Sequence, residues 1–176
     1  MDDRVLKEYS IAIQGKIRTG KTTYLNKLIK ELRQLGNDIV YIEAHVPYYK
    51  IEGNLSNYSE QLRNGNHNIK ELFKCINNEI QRRIKIMSNL GCNTIKDVRK
   101  LGINLPDITI AIDEFDRLAN NTKTLLTIID NILLHSKITG IRLIIVTFQI
   151  DGLYNSVDLR VTTSRDIKGN FKTELS

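Results

Sequence analysis

The eight residues from Gly15 to Thr22, GKIRTGKT, constrain the fold of this chain more than any other feature. They match the pattern G-x-x-x-x-G-K-[ST], and they stand between a short apolar run, Ile11 to Ile13, and an amphipathic stretch that begins at Lys21. In this pattern the glycines allow a tight turn that brings backbone N–H groups onto a phosphate at a helix N-terminus. The sequence therefore predicts a phosphate-binding loop that joins a buried strand to a helix.

The lysine and the hydroxyl at the end of this loop have separate expected roles. Lys21 is expected to reach the β- and γ-phosphates of a nucleotide, and the Thr22 hydroxyl is expected to ligate Mg²⁺. The predicted cofactors are therefore ATP and Mg²⁺. The predicted nucleotide-binding residues are Gly15, Lys16, Ile17, Arg18, Thr19, Gly20, Lys21, Thr22 and Thr23.

A second motif follows a later apolar run, Ile108 to Ile112, where Asp113 and Glu114 come directly after the run. We expect Asp113 to hold the Mg²⁺ shell and Glu114 to orient and deprotonate the water that attacks the γ-phosphate. Taken alone, the pair could be a strand that ends in two surface acids, and the loop alone could belong to a module that binds nucleotide without hydrolysing it. The two motifs together favour hydrolysis.

Hydrophobic periodicity predicts one α/β domain over residues 1–176, with a mainly parallel sheet and helices on both faces. The predicted strands are Tyr9 to Gln14, Ile39 to Ala44, Ile108 to Ile112, Arg142 to Thr147 and a short one near Leu159 to Thr162. The predicted helices are Lys21 to Leu35, Ile69 to Asn89, Thr94 to Leu101 and Asn121 to Ser136. We expect Pro47 to Asn68 to be a loop excursion and residues 166–176 to be a frayed tail.

The net charge of +6 is unevenly distributed along the chain. Residues 61–105 carry nine Lys and Arg against three Asp and Glu, which accounts for the whole surplus. Such a segment is either an electrostatic footprint for nucleic acid or a solvated helical face. Neither a signal peptide nor an apolar run of membrane-spanning length is visible, so a cytoplasmic location without a membrane anchor is expected.

In this order and spacing, the motifs resemble the motor domain of the FtsK/SpoIIIE family of DNA translocases, within the FtsK–HerA group of P-loop ATPases. Three stretches carry the resemblance besides the loop: NNEIQRRIKIMSNLGCNTIKDV from Asn77, ITIAIDEFDRL from Ile108, and GIRLIIVT from Gly140. The loop corresponds to the family's Walker A motif, and the Ile108 stretch corresponds to its Walker B motif. Together they cover about residues 9 to 165.

The resemblance implies a RecA-like fold that assembles as a ring, usually a hexamer, and moves double-stranded DNA by ATP hydrolysis. It assigns phosphate and Mg²⁺ binding to Lys21 and Thr22, the metal to Asp113, and the water to Glu114. Thr147, at the end of the fourth strand, would sense the γ-phosphate, as expected for ligands at the carboxyl ends of strands. Lys137 stands where the family often supplies an arginine to the nucleotide of the neighbouring subunit.

Four positions depart from the family pattern. Arg18 and Thr19 replace the usual inner Gly-Ser of the loop, and Phe148 stands where the family has a glutamine, with Gln149 one place later. Lys137 supplies the charge of an arginine without its planar, two-pronged geometry. A motor this small would suit a plasmid, phage or integrative element, with a possible protein partner from the same element.

Two hypotheses on function remain beside the DNA motor. A non-motor ATPase switch would act on a protein partner, and its turnover would be indifferent to DNA. A nucleotide kinase is disfavoured because no arginine-rich lid segment is recognisable. Under the motor hypothesis the predicted DNA contacts are Lys70, Lys74, Arg82, Arg83, Lys96 and Arg99, although Arg82 and Arg83 could instead cap a helix face or pair with acids inside the subunit.

Overall fold

Helices and strands alternate along the chain in the computed structural model, which describes residues 3–43, 48–52, 69–119, 123–148, 157–165 and 171–176. The helices are α1 (Asp3–Lys7), α2 (Lys21–Gln34), α3 (Ile69–Asn89), α4 (Ile95–Lys100), α5 (Phe115–Ala119) and α6 (Lys123–Thr139). The strands are β1 (Ser10–Gln14), β2 (Asp38–Glu43), β3 (Tyr48–Glu52), β4 (Ile108–Asp113), β5 (Ile141–Thr147), β6 (Leu159–Arg165) and β7 (Phe171–Leu175). The predicted order of buried strands and helices is confirmed.

All seven strands of the described chain form one sheet, in the order β3-β2-β4-β5-β1-β6-β7. The five inner strands, β2, β4, β5, β1 and β6, are parallel to one another, whereas β3 and β7 pair antiparallel at the two edges. Parallel strands place their carboxyl ends at one side of the sheet. The loop after β1 and the acids after β4 therefore lie on the same side, and the predicted mainly parallel α/β fold is confirmed.

Helices cover both faces of this sheet, and the alternation of side chains along the strands explains how. On β5, Leu143 and Ile145 pack in the core that α3 and α6 cover, whereas Ile144 and Val146 pack in the core that α2 covers. Every residue of β4 and β5 is buried, as expected for strands with helices on both sides. A hydrophobic core therefore lies on each face of the sheet, and β4 and β5 are buried between the two cores.

Helix α2 is positioned by its own apolar stripe. Leu25, Leu28, Ile29 and Leu32 recur at helical spacing and are buried against the sheet. The chain turns away at Gly36, whose φ of 82° is in the left-handed region that glycine adopts without strain. Packing of this stripe fixes the direction of α2, and its first turn is thereby held at the end of the phosphate loop.

The structure corrects two sequence predictions at the edges of the sheet. The segment Pro47 to Asn68, predicted as a loop, contains β3, which pairs with β2; residues 53–68 lie outside the described part of the chain. The predicted frayed tail at 166–176 contains β7, which pairs with β6 from Val161 opposite Leu175 to Arg165 opposite Phe171. Both strands gain their order from antiparallel pairing with a neighbour, which local turn composition does not reveal.

Two short helices, α1 and α5, were not predicted from the sequence. Helix α5 begins one residue after Glu114 and carries the chain away from the carboxyl end of β4. None of the described helices combines the length and the apolar character needed to cross a membrane.

Candidate nucleotide-binding site

The predicted phosphate loop lies between β1 and α2, as the sequence indicates. Gly20 is the N-cap of α2, with φ of 87°. Because glycine has no side chain, Gly20 makes no side-chain hydrogen bond to the N–H groups of the first turn. Those N–H groups and the positive end of the helix are free to bind an anion. Arg18 also has a left-handed backbone, with φ of 62°, at a position where glycine would be unstrained.

Gly15 is required at its position because the backbone passes close to β6. A Cβ atom there would lie 2.5 Å from the carbonyl oxygen and the Oγ1 of Thr163, and 2.6 Å from the Oγ1 of Thr19. The two hydroxyls of Thr19 and Thr163 are themselves 2.8 Å apart and hydrogen-bonded. The phosphate loop therefore packs directly against strand β6.

A cavity of about 340 Å³ opens beside this loop. It contains most of the predicted nucleotide-binding residues together with the predicted metal ligands, water-activating acid and sensor. Gly15 and Lys16 belong to the loop but do not line the cavity, and Lys137 does not line it either. The lining residues are Ile17, Arg18, Thr19, Gly20, Lys21, Thr22, Thr23, Asp113, Glu114, Asp116, Val146, Thr147 and Phe148.

The ammonium group of Lys21 lies within the loop itself. Its Nζ donates hydrogen bonds to the carbonyl oxygens of Gly15, at 2.7 Å, and Lys16, at 2.9 Å. The same Nζ lies 4.6 Å from the centre of the Phe148 ring, in cation–π geometry. Burial lowers the pKa of Lys21 below its usual 10.5, although Asp113, Asp116 and Glu114 act in the opposite direction.

The two predicted metal ligands contact each other. The Thr22 hydroxyl donates a 2.9 Å hydrogen bond to Oδ2 of Asp113, which is buried at the end of β4. A hydroxyl and a carboxylate oxygen at this spacing fit Mg²⁺, which P-loop proteins hold with these two groups and with phosphate oxygens. Tyr41 on β2 also donates to Asp113 Oδ2, at 3.5 Å, and burial together with this carboxylate raises the pKa of Tyr41 well above 10.0.

Glu114 follows Asp113 at the exit from β4 with a strained backbone. Its φ of 54° is in the left-handed region, which costs a residue with a side chain on the order of 1 kcal/mol. Its backbone N–H donates to Asp113 Oδ1 at 3.0 Å, and its Oε2 forms a 2.9 Å ion pair with Nε of Arg117. This strained turn directs the chain so that Glu114 lines the cavity.

Asp116 is a functional candidate that the sequence analysis did not single out. Its Oδ1 accepts the hydrogen of the Thr147 hydroxyl, and its Oδ2 accepts the backbone N–H of Phe148 at 2.9 Å. Asp116 thus joins α5 to the end of β5. Tyr41 was missed as well, and no contiguous pattern marks either residue, because each meets its partner only in the folded sheet.

Lys137, predicted to act on the nucleotide of a neighbouring subunit, forms an ion pair inside this chain. Its Nζ lies 2.7 Å from Oδ1 of Asp158, and its side chain is 63% exposed. The Asp158 hydrogen bond raises the pKa of Lys137 above its usual value. The pairing leaves a largely exposed ammonium group, and the role of Lys137 toward a second subunit stays a prediction.

The structure describes the side chains of five of the six predicted DNA contacts, and these five differ in exposure. Lys74, Arg82 and Lys96 are exposed. Arg83 must be withdrawn as a DNA contact, because its guanidinium is buried and donates to Glu79 Oε1 and to the carbonyl oxygens of Thr139 and Pro106. This supports the alternative that Arg83 pairs with an acid inside the subunit.

Arg99 is also committed to the fold, since it donates to the Leu105 carbonyl oxygen at 2.6 Å and pairs with Asp107. Arg82 donates to both oxygens of Glu79, at 2.6 and 2.7 Å, while its side chain stays 41% exposed. The side chain of Lys70 lies outside what the structure describes. The basic residues still available to a DNA backbone are therefore fewer than the sequence suggests.

No protein-family model matches this sequence, and no curated protein does. Solved structures do match its fold. They include ATPases 2 and 3 of EssC from Geobacillus thermodenitrificans, with a TM-score of 0.67 and 18% identity. They also include the cytoplasmic domain of the type VII secretion ATPase EccC from Thermomonospora curvata, with a TM-score of 0.66 and 18% identity. A third is the pCW3 conjugation coupling protein TcpA, solved as a monomer with ATPγS, with a TM-score of 0.67 and 22% identity.

The alignments cover 89%, 92% and 91% of this chain, in the same order, but only 32%, 21% and 49% of the matched chains. This chain therefore spans less than half of each of these proteins. Identities at this level establish the fold and leave the activity open. The structural neighbours are FtsK/SpoIIIE-like P-loop ATPase domains, and this chain has their fold.

Proposed function

We propose that this chain hydrolyses ATP and couples hydrolysis to movement or handling of double-stranded DNA, as a minimal FtsK-like motor of a plasmid, phage or integrative element. One observation carries the ATPase part of this proposal: Lys21, Thr22, Asp113 and Glu114 line one cavity although their two motifs are some ninety residues apart in sequence. DNA and ATP are both found in the cytoplasm, which is where we place the protein.

The geometry supports a division of tasks among these residues. The loop N–H groups and Lys21 bind the phosphates, which requires Lys21 to exchange its bonds to the loop carbonyl oxygens for bonds to phosphate oxygens. Mg²⁺ held by Thr22 and Asp113 would neutralise charge on the β- and γ-phosphates. Glu114 lines the same cavity beside Asp113, where a carboxylate is suited to orient a water and accept its proton.

The test of this proposal is the steady-state rate of ATP hydrolysis with and without linear double-stranded DNA. We expect DNA to stimulate the rate, and we expect Lys21→Ala and Glu114→Gln to abolish it. The two variants separate binding from chemistry, because Glu114→Gln should retain nucleotide affinity and Lys21→Ala should lose it. A wild-type rate that ignores DNA would overturn the motor while leaving the ATPase in place.

The DNA contact is tested by charge neutralisation on the exposed basic residues. If both lysines contact phosphates, the double variant Lys74→Gln with Lys96→Gln should weaken DNA binding. The slope of log K against log salt concentration should become less steep by about two. The matched control is Lys27→Gln with Lys30→Gln, two exposed lysines of α2, which covers the opposite face of the sheet from α3. Equal effects of the two pairs would mean that net charge alone attracts the DNA.

Assembly into a ring, in which Lys137 serves the neighbouring site, belongs to the same proposal. We expect Lys137→Ala and Glu114→Gln to be inactive alone and active when mixed, because each mixed interface can combine an intact Glu114 with an intact Lys137. Asp158→Asn is the control, since it breaks the same ion pair and keeps Lys137. Absence of activity in the mixture would remove Lys137 from the reaction.

A second candidate function is a switch that acts on a protein partner. Two of the proteins with a matching fold, EssC and EccC, are ATPases, and EccC is a type VII secretion ATPase. This alternative predicts turnover that needs Lys21 and Glu114, ignores DNA and responds to a protein from the same genetic element. The DNA-stimulation assay separates the two functions.

A further inference from the structure

Each oxygen of the Asp116 carboxylate accepts a hydrogen bond from the end of β5. Its Oδ2 accepts the backbone N–H of Phe148 at 2.9 Å, and this fixed donor determines how the carboxylate is turned. Its Oδ1 then accepts the hydrogen of the Thr147 hydroxyl. Asp116 thereby determines the orientation of the Thr147 hydroxyl.

A hydroxyl carries one hydrogen, and that fact limits what Thr147 can do. Because Thr147 donates its hydrogen to Asp116, only oxygen lone pairs can face the cavity that Thr147 lines. A phosphate oxygen is an acceptor and gains nothing from a lone pair. A water molecule is a donor and can bind there.

Glu114 lines the same cavity, and a carboxylate that pairs with Arg117 through one oxygen can still accept a hydrogen bond from a water. A water between the two would donate one hydrogen to Glu114 and the other to Thr147, with its oxygen lone pair left for attack. This orientation is the one that an attacking water needs, because both of its hydrogens are held away from the phosphorus.

We propose that Asp116 is a positioning residue for hydrolysis, which turns Thr147 into a hydrogen-bond acceptor that holds the attacking water together with Glu114. This inference rests on the proposed ATPase function and changes the predicted role of Thr147 from phosphate sensor to water acceptor. In the reaction, the water oxygen bonds to the terminal phosphorus and the bond to the bridging oxygen breaks, with its electron pair leaving on ADP. One water proton passes to Glu114, and the other stays with the phosphate that is formed.

The decisive variant is Asp116→Asn, which keeps the size of the side chain and reverses one hydrogen bond. The asparagine oxygen can still accept from the Phe148 N–H, but the amide NH₂ must then donate to Thr147. The Thr147 hydroxyl hydrogen is released toward the cavity. A phosphate sensor would bind ATP at least as well after this change, whereas a water acceptor would lose its function.

We therefore expect Asp116→Asn to lower kcat by 10- to 100-fold while KM and the affinity for an unhydrolysable ATP analogue change less than threefold. Thr147→Val should have the same effect, and Thr147→Ser should retain most of the activity. In the double variant Asp116→Asn with Thr147→Val, the two losses should not multiply, because both act through the same water. Thermal unfolding checks that each variant is folded.

Three outcomes would overturn the inference. The first is an Asp116→Asn enzyme with wild-type kcat. The second is a change confined to ATP affinity, which would return Thr147 to contact with phosphate. The third is fully multiplicative losses in the double variant. If the wild-type protein shows no hydrolysis that depends on Lys21 and Glu114, the proposed function fails and this inference fails with it. If that hydrolysis is present, the variants of Asp116 and Thr147 test this inference alone.

Discussion

The hydroxyl of Thr22 donates a 2.9 Å hydrogen bond to Oδ2 of Asp113, which joins the first turn of α2 to the end of β4. The two residues come from motifs that lie far apart in the sequence, and their contact defines one side of the cavity. Tyr41 donates to the same carboxylate oxygen. Asp113 Oδ2 is therefore the point at which the loop, β2 and β4 meet.

Thr22→Val should remove the dependence of nucleotide binding on Mg²⁺. Valine has the shape of threonine without the hydroxyl, so it can neither ligate the metal nor donate to Asp113. We expect ADP affinity with Mg²⁺ to fall at least tenfold and affinity in EDTA to change little, both measured by titration calorimetry. Thr23→Val is the matched control, because Thr23 lines the cavity as a predicted nucleotide contact and not as a metal ligand, so any loss of affinity there should be the same with Mg²⁺ and in EDTA. If Thr22→Val also lost affinity equally in the two conditions, Thr22 would not be a metal ligand.

Nucleotide affinity should decline with rising pH earlier than an ordinary lysine would dictate. Only the charged form of Lys21 binds phosphate strongly, and burial holds the pKa of Lys21 below 10.5. As pH rises through that lowered pKa, the ammonium loses its proton and the affinity falls. Lys21→Arg keeps its charge across this range and should show a flat profile, even if its affinity is lower throughout. ADP titrations between pH 7 and pH 10 measure both curves, and parallel curves would assign the decline to another group.

Contiguous motifs explain why much of the fold and site can be predicted from the sequence. The strand, loop and α2 are specified by neighbouring residues, and the apolar run before Asp113 and Glu114 specifies β4 in the same way. Asp116 and Tyr41 are different, because their partners lie 31 and 72 residues away. Their contacts depend on the strand order, which no local pattern gives.

The burial of Arg83 could have been predicted, whereas the edge strands could not. On α3, Arg83 lies three residues after Ile80 and four before Met87, both buried, so its position falls on the apolar stripe. A charge on that stripe indicates an internal partner. Strands β3 and β7 owe their order to pairing with β2 and β6, so composition alone predicts them as loop and tail.

Arg83→Met should destabilise the protein by about 2–4 kcal/mol, because the carbonyl oxygens of Thr139 and Pro106 lose their buried donor. Arg82→Met should cost less than about 1 kcal/mol, since this side chain is 41% exposed. Urea unfolding measures both values. A small cost for Arg83→Met together with a large loss of DNA affinity would return Arg83 to the DNA-binding surface.

The same cluster predicts how stability depends on acidity. Burial acts to raise the pKa of Glu79, but the hydrogen bonds from Arg82 and Arg83 outweigh it and hold the pKa below the usual 4.5. A carboxyl with a lowered folded-state pKa contributes stability above its unfolded pKa, and this contribution is lost as pH falls through the folded value. The free energy of unfolding should therefore fall below about pH 4.5, and Arg83→Met should weaken that dependence. If the free energy of unfolding of this variant fell with pH as it does in the wild type, Arg83 would not be a cause of the lowered pKa of Glu79.

Gly15→Ala should impair both stability and nucleotide binding, because no room exists for a methyl group between the loop and β6. The new Cβ would lie 2.5 Å from the Thr163 carbonyl oxygen, a backbone atom that moves only if β6 moves. We expect a loss of about 1–3 kcal/mol in urea unfolding, typical of overpacking, and at least a tenfold loss of ADP affinity. Gly36→Ala is the control, since its φ is 82° and no atom lies within 4 Å of the added Cβ, so it carries backbone strain of about 1 kcal/mol without a clash. If the two variants lost equal stability and both bound ADP normally, the contact between the loop and β6 would have no part in shaping the site.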